Sequence, residues 1–346
     1  MPNIQPSEIK YYLSAIRNNT SANGGRESST ESIAGLSASH PLAMLPWIDY
    51  DSRIAGTEVY RKIHLKVDNA LSEPLFVPEL YLLYPPMGDT HITIGAATNT
   101  DTQGDLTGSE KQYGVGLLTV AASINDTSIT VNTRSAALGL FTVGDKIIIS
   151  NLKRVVSSGV VGREQDGVIA QPEYRTLTSV SYSGDVATLG FATGLYYAHA
   201  IDTLVASILQ KGSEIKCSYT TPVVTSVAGT FNTTTYPIQL NNLGTVTQQW
   251  TFTFASSTAF TLSGDVLGNN IASGNTTSNF APNNPAVNQP YFTILKESWG
   301  GTWALGNTVT WPSYPATFPF WLKHKVPPNS AYANITTEIR LNGQGI

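Results

Sequence analysis

Charge is scarce in this sequence. Asp, Glu, Lys and Arg make up only 13% of its 346 residues, against about 25% in an average soluble domain. The net charge is −4, so the chain lacks the clustered positive charge of a nucleic-acid-binding protein, and no direct contact with nucleic acid is predicted. Uncharged Thr, Ser, Asn and Gly fill the polar positions instead. This composition favours a surface that is partly covered by neighbouring subunits.

Long apolar runs are also missing, and cysteine is nearly absent. No run approaches the roughly 18 apolar residues that a membrane span requires, so no span is predicted. Cys217 is the one cysteine, which excludes an internal disulfide and fits folding in a reducing compartment. Residues 1–19 show no basic stretch followed by an apolar one, so we expect no secretory signal.

Motifs for catalysis are absent as well. The sequence has no GxSxG elbow, no phosphate-binding loop and no CxxC pair. Its histidines show none of the HxH or HxxxH spacings that hold a metal; they are His40, His64, His91, His199 and His324. We expect His64 and His324 to be ordinary surface or hydrogen-bonded residues of their strands.

The carboxylates offer no clearer chemistry. The candidates for a catalytic pair, as in glycoside hydrolysis, are Asp101, Asp105, Glu110, Glu164 and Asp166, all in loop-like stretches. An EF-hand loop beginning at Asp101 needs Gly at its sixth position and a carboxylate at its twelfth, where Leu106 and Gln112 stand. We therefore predict no catalytic residue, no metal site, no cofactor and no enzymatic activity.

Period-two patterns run through most of the chain. In TEVYRKIHLKV, for example, Val59, Ile63 and Leu65 share one face of a strand. We predict an all-β fold with two to three β-sandwich or small-barrel domains and an extended N-terminal arm. The predicted parts are an arm at 1–45, a first β-sandwich part at 46–117, a small β-barrel-like insert at 118–210 and a C-terminal Ig-like β-sandwich at 211–346.

The predicted arm begins with a helical pattern. Ser7 can cap a short helix on which Ile9, Leu13 and Ile16 form one apolar stripe. The following stretch, NNTSANGGRESSTESIAGLSASH, has too few large apolar residues to order itself. It is either a disordered terminus or, as we prefer, an arm that becomes ordered on a neighbouring subunit. Ile9, Leu13 and Ile16 are therefore candidate subunit contacts.

Turn signals mark the middle of the chain. Ser183-Gly184-Asp185 predicts a hairpin, and a glycine at 144 precedes another strand-like run. Beyond the N-terminus, only YYAHAIDTLVASI has a spacing that also fits a helix.

Large aromatic residues concentrate near the C-terminus. The strand pattern there places Trp303, Trp311 and Trp321 in the core of the C-terminal sandwich. Trp299 stands beside Gly300-Gly301, where we predict a bulge or tight corner. It is the one tryptophan of this group that we expect to be exposed, as a contact with another subunit.

Two passages carry a resemblance to a known family. One is WTFTFASSTAFTLSGDVLG followed by NFAPNNPAVNQPYFTILKESWGGTWALGNTVTWPSYPATFPFWLKHKVPP; the other is SEIKYYLS and NGGRESSTESIAG followed by GTEVYRKIHLKVDNA. Together they resemble virion structural proteins of tailed bacteriophages, in which a flexible arm precedes a β-sandwich and a C-terminal Ig-like domain follows. The resemblance covers both ends of the chain and brings no catalytic residues. The middle is similar to small β-barrel modules of phage tail and neck proteins.

The resemblance implies a structural component of the tail, neck or baseplate region, located in the virion after assembly in the bacterial cytoplasm. Its partners would be other phage virion proteins and further copies of itself in a symmetric homo-oligomer. Two alternatives stay open. A capsid decoration or cement protein would use an arm equally well, and a receptor-binding module would stack its tryptophans on a host surface glycan.

Overall fold

The computed structural model describes most of the chain. The described residues are 4–32, 45–46, 48–86, 88–150, 153–157, 160–164, 172–331 and 339–344. Strand makes up 49% and helix 6%, which confirms the all-β prediction. No helix in these ranges is both long enough and apolar enough to cross a membrane.

The elements fall into three stretches of the chain. The first holds β1 Ile9–Ile16, β2 Gly24–Ser32, α1 Tyr50–Ala55, β3 Thr57–Val67, β4 Leu75–Leu82, β5 His91–Ala96 and β6 Gln112–Tyr113. The second holds β7 Val115–Leu118, β8 Ser128–Asn132, β9 Lys146–Ser150, β10 Lys153–Ser157, β11 Val160–Glu164, β12 Glu173–Ser183, β13 Val186–Phe191 and β14 Leu204–Ser207. The third holds β15 Leu209–Gln210, β16 Glu214–Ile215, β17 Ser218–Tyr219, β18 Val223–Thr225, β19 Gly229–Phe231, β20 Gln248–Phe254, β21 Ala259–Gly264, β22 Gly268–Asn275, β23 Asn283–Asn284, β24 Gln289–Pro290, β25 Trp299–Gly301, β26 Thr308–Tyr314, β27 Thr317–Val326 and β28 Ile339–Gln344. Short 3-10 helices occupy Pro6–Glu8, Gln103–Asp105, Ala136–Leu138 and Lys296–Ser298.

A two-sheet sandwich forms the centre of the molecule. One sheet has the order β2-β1-β3-β27-β5-β6, and the other has β4 at its middle, with β15 and β16 on one edge and β28 on the other. Alternating apolar residues of both sheets meet between them, including Ile63, Leu65, Leu80, Ile94 and Phe320. This is the packing that period-two patterning favours.

The N-terminal residues belong to this sandwich, which corrects the predicted helix. β1 is a strand that pairs with β3, with Ile9 opposite Val67 and Leu13 opposite Ile63. Leu13 is completely buried, so sheet pairing and core burial override the local helical spacing. The first part of the predicted arm therefore folds onto its own chain. Residues 33–44, the rest of that arm, lie outside the described residues.

The second unit is a closed six-stranded barrel with the order β12-β13-β8-β7-β14-β9. Its hairpin β12-β13 turns at Ser183–Val186, with Gly184 at φ +55°, as the turn sequence predicts. β10 and β11 form a separate two-stranded hairpin between β9 and β12. The segment with helix-like spacing, 196–208, is a loop followed by β14, because its apolar residues complete the barrel instead.

The third unit has a sheet of order β17-β26-β20-β21-β22, with β18 also paired to β26. Trp250, Phe252 and Phe254 alternate inward on β20 and are fully buried, as their spacing predicts. Phe260 and Leu262 on β21 continue the same core. This core is mainly aromatic and is separate from the cores of the sandwich and the barrel.

The last long strand corrects the predicted extent of the C-terminal sandwich. The sequence places β27 in that sandwich, yet β27 pairs with β3 along its whole length, from Thr317 opposite Lys66 to Val326 opposite Thr57. β28 likewise pairs with β4. Along the chain, the barrel is thus inserted between the sandwich strands β6 and β15. The third unit, which we call the aromatic unit, is inserted between the sandwich strands β16 and β27. The central sandwich is built from segments at both ends of the chain.

Candidate functional site

The residues predicted as subunit contacts lie in different parts of the molecule. Leu13 is buried in the sandwich core, and Ile9 packs partly against that core. Ile16, at the end of β1, is 45% exposed, whereas Trp299 is only 9% exposed. Among these four, Ile16 alone presents much apolar surface to a partner.

Trp299 lies in the aromatic core instead of on the surface. Its ring centroid is 4.5 Å from that of Phe231, 5.2 Å from that of Phe260 and 5.6 Å from that of Phe252. Pairing of β25 with β19 places Trp299 opposite Phe231. The neighbouring glycines therefore belong to a short strand that carries the indole inward, and the expectation of an exposed contact is wrong.

The other three tryptophans are also buried. Trp303 stacks on Phe254 with ring centroids 4.1 Å apart, and Trp311 is fully buried in the same core, as predicted. Trp321 is 3% exposed but lies in the central sandwich, because β27 belongs there. A platform that stacks on flat ligands needs exposed rings. These four rings do not supply one.

Trp321 helps to bury a lysine. Lys62 is completely buried, and its Nζ lies 2.6 Å from Oδ1 of Asp101 and donates to the carbonyl of Gly25 across 2.7 Å. Trp321 Nε1 donates to Oδ2 of the same aspartate across 2.9 Å. Burial lowers the pKa of Lys62, and the Asp101 carboxylate opposes that shift. This arrangement joins β2, β3, β27 and the loop after β5, which is a structural role.

The other candidate carboxylates also have structural partners. Asp105 accepts hydrogen bonds from the backbone and hydroxyl of Thr102, and Glu110 caps the backbone of Thr107 in the same way. The side chains of Glu164 and Asp166 lie outside the described residues. In the ranges that the structure covers, no group of His, Cys, Asp and Glu side chains is arranged to hold a metal ion.

Two histidines differ from the ordinary strand residues that we expected. His64 and His324 are both completely buried. Burial, with the nearby charge of Lys62, lowers the pKa of His64 to about 3, and burial, with His91 nearby, lowers the pKa of His324 to about 4. Both rings are therefore neutral in the folded protein at physiological pH.

An exposed apolar surface lies on one end of the barrel. It comprises two stretches of loop, after β7 and after β13, and we call it the barrel rim: Val120, Ile124, Tyr196, Tyr197 and Ile201. Their side chains are 62%, 57%, 65%, 40% and 59% exposed in that order. Exposed apolar side chains are common singly, but a group of this kind indicates a surface for contact with another molecule.

Backbone hydrogen bonds hold the two rim loops together. Ala122 and His199 exchange both of their N–H···O bonds, at 2.8 and 2.9 Å. Asn125 N donates to the carbonyl of Leu195 across 2.9 Å, and Leu195 N donates to the carbonyl of Asp126 across 2.9 Å. The loops are thus cross-linked like a short antiparallel ladder, which holds the exposed apolar residues of both loops at the same end of the barrel.

A buried ionic network fixes the second rim loop from below. Glu173 and Arg175, on β12, form a buried ion pair through Oε1 and Nη2. The same carboxylate accepts a hydrogen bond from the backbone N–H of Tyr196, and His199 Nε2 donates to its Oε2 across 3.0 Å. Because Glu173 and His199 are almost completely buried, these bonds are shielded from competing water and hold the loop firmly.

Arg175 completes the support of the rim. Its Nε donates to the carbonyl of Thr193 across 3.0 Å and its Nη2 to that of Gly194 across 2.6 Å. Its guanidinium carbon lies 4.5 Å from the centre of the Tyr196 ring, a cation–π contact that orients an otherwise exposed side chain. The rim is therefore an ordered surface with a tyrosine anchor at a fixed position.

The sequence contains the elements of the rim but not their arrangement. The pair Tyr196-Tyr197 and Ile201 fall in a segment whose spacing also fits a helix, and the spacing of His199 predicts no metal site. Pairing with the loop at 119–126 arises only when the barrel closes. The burial of Glu173 and Arg175 beneath the loop is likewise visible only in the folded structure.

Comparison of the chain with protein-family models, with curated protein sequences and with solved structures gave no match. The role of the barrel rim therefore rests on its own geometry.

Proposed function

We propose that this protein is a structural component of a bacteriophage virion, in the tail, neck or baseplate region, that acts through contacts with other subunits. Placement in a virion rests on the sequence resemblance of both ends of the chain to virion proteins. The observation that supports a contact function is the barrel rim. It combines exposed apolar side chains with a backbone that hydrogen bonds hold in place.

The rim has the properties of a protein–protein contact. Tyrosine is enriched among the residues that dominate binding energy, and Tyr196 is both exposed and held by Arg175. A loop that is already ordered loses little conformational entropy on binding, which leaves more of the contact energy as affinity. Low overall charge suits burial of such a surface between subunits.

The tryptophans no longer support the alternative of a glycan-binding module. It was motivated by the tryptophans between Trp299 and Trp321, and those rings are buried. The alternative of a capsid decoration protein is distinguished from a tail-region component by the position and copy number of the chain in the particle.

A paired set of variants tests the proposal. Tyr196→Ser with Ile201→Ser removes apolar surface from the rim. Tyr50→Ser with Ile54→Ser is the matched control, because these residues are 66% and 46% exposed and Arg53 lies over Tyr50 as Arg175 lies over Tyr196. We expect both proteins to fold with wild-type circular dichroism, and only the rim variant to be lost from purified particles.

Immunogold labelling locates the wild-type chain on those particles. Label on the tail, neck or baseplate is the expected result, and label spread over the capsid would favour decoration instead. Particles that contain no copy of the chain would refute the virion assignment. Equal incorporation of the rim and control variants would refute the rim as the contact.

A further inference from the structure

Most sheet edges that the structure describes are short or charged. β6, β15, β16, β17 and β18 have two or three residues each. β2 carries Arg26 and Glu27, and β28 carries Arg340. Short length and charge are the means by which natural proteins keep an edge strand from pairing with another chain.

β22 is the exception. It is an eight-residue edge strand, GNNIASGN, with no charge and no proline, and among the described residues it pairs with β21 alone. The hairpin turn that leads into it exposes two apolar side chains, Val266 at 68% and Leu267 at 42%. A long uncharged edge presents a row of unpaired backbone N–H and C=O groups that can pair with a strand of another chain.

The hydrogen-bond register shows which backbone groups face outward. Thr276 N donates to the carbonyl of Thr258 across 2.9 Å, so residues of even number on this strand direct their N–H and C=O toward β21. In an antiparallel ladder the alternate residues direct theirs to the other side. The backbone groups of Ile271, Ser273 and Asn275 therefore point away from the sheet.

The charge around β22 indicates the kind of partner. No charged residue occurs from Val266 through Leu295, and the nearest carboxylate, Asp265, is engaged by Arg26 through both oxygens. β22 therefore offers no charged side chain of its own to complement a charged strand. A neutral strand fits, and a second copy of β22 supplies one whose outward groups alternate with the same period.

We propose that β22 pairs with β22 of a second copy of this chain, antiparallel and across a two-fold axis near Ser273. Ile271 then lies opposite Asn275 of the partner subunit, and the reverse pair forms by symmetry. The three outward residues of each strand make about six backbone hydrogen bonds across the axis. The sheet that ends at β22 in each subunit then continues into the same sheet of the partner subunit. This proposal is independent of the virion assignment.

Substitutions at Ser273 test the pairing without disturbing the monomer. Ser273→Pro removes an outward N–H, so the ladder with β21 stays intact. Ser273→Lys places two like charges face to face across the axis. Thr253→Lys is the matched control, because Thr253, Thr261 and Ser273 lie in one row across the sheet and Thr253 is exposed on a central strand.

Sedimentation equilibrium of the full chain gives the readout. We expect the mass of two chains for the wild type and for Thr253→Lys, and the mass of one chain for both Ser273 variants. If Ser273→Pro fails to fold, the lysine variant decides. In the wild type, hydrogen exchange at the amides of residues 271, 273 and 275 should be slow, and it should become fast in the lysine variant.

Three results would overturn the proposal. They are a single-chain mass for the wild type at every concentration, a double mass that persists in the folded Ser273 variants, and a double mass that is lost only in the rim variant Tyr196→Ser with Ile201→Ser. The last result would assign self-association to the barrel rim. Failure of the virion test, by contrast, leaves the expected masses unchanged.

Discussion

Single buried polar side chains give this protein a dependence on pH. His324 lies on β27 facing the sandwich core, and the structure gives neither of its ring nitrogens a hydrogen-bond partner among the described residues. The ring must be neutral to remain there, because an isolated charge in a core is far more costly than a neutral polar group. This cost lowers the pKa of His324 to about 4.

Acid should therefore destabilise the fold through this residue. The pKa of His324 is about 4 when folded and about 6.5 in an unfolded chain, so the unfolded state binds more protons between these values. Stability is fully present above pH 6.5 and falls as the pH drops toward 4, by up to about 1.4 kcal/mol per pH unit. Urea unfolding across this pH range should show that the free energy of unfolding depends less steeply on pH in His324→Leu than in the wild type.

The control for this residue is its neighbour Leu322→Met, which changes core packing without adding or removing a proton. Its stability should shift by a constant amount at all pH values. If the free energy of unfolding has the same pH dependence in the wild type and in His324→Leu, this histidine does not titrate as its burial requires.

At the scale of elements, the barrel rim depends on β12. Glu173→Gln removes the negative charge beside Arg175 and weakens the acceptor for Tyr196 N and His199. Breaking one side of a buried pair typically costs about 3–5 kcal/mol. We expect a loss of this order in the free energy of unfolding, with faster hydrogen exchange in the rim loops than in the aromatic unit.

A surface ion pair provides the comparison for Glu173→Gln. Lys216→Gln removes the partner of Glu214, whose pair is largely exposed on the lysine side, and should cost at most about 1 kcal/mol. A loss in Glu173→Gln as small as that, with unchanged exchange in residues 193–201, would show that the network does not support the rim.

The sequence predicts elements better than it predicts their partners. Alternation identifies β3, β20 and β21 because each has one face in a core. It fails at β1, where a spacing of three and four residues fits a helix until pairing with β3 is known. It also cannot assign β27 to a sheet, since the same alternating pattern fits either sandwich. The rim, made by two loops distant in sequence, has no local pattern at all.

At the scale of the whole molecule, the N-terminal strands connect two units. β2 extends the sandwich sheet, and its Arg26 and Glu27 also reach the aromatic unit, where Glu27 accepts hydrogen bonds from the backbone and hydroxyl of Thr247. Arg26 pairs with Asp265 in that unit. The orientation of the aromatic unit against the sandwich is thus set partly by residues that the sequence assigns to a free arm.

Deletion of residues 1–32 should consequently destabilise the protein strongly. It removes β1 and β2, opens the edge of β3 and leaves a cavity at Leu13, where loss of a buried leucine alone typically costs about 2–5 kcal/mol. We expect a large fall in melting temperature and weaker near-ultraviolet circular dichroism. Arg26→Ala, which breaks a partly exposed ion pair and one long hydrogen bond to the carbonyl of Thr247, should cost about 1 kcal/mol. A truncated chain with wild-type melting would restore the interpretation as a free arm.

The pairing of β3 with β27 also sets an order for folding during synthesis. β3 leaves the ribosome early, but its partner is made only after the barrel and the aromatic unit, both of which close on chain that is already present. Contacts between distant segments form slowly and domains fold as units. We therefore expect the two inserted units to fold before β27 completes the central sandwich. β3 is then among the first strands to be translated and among the last to gain all of its pairing partners.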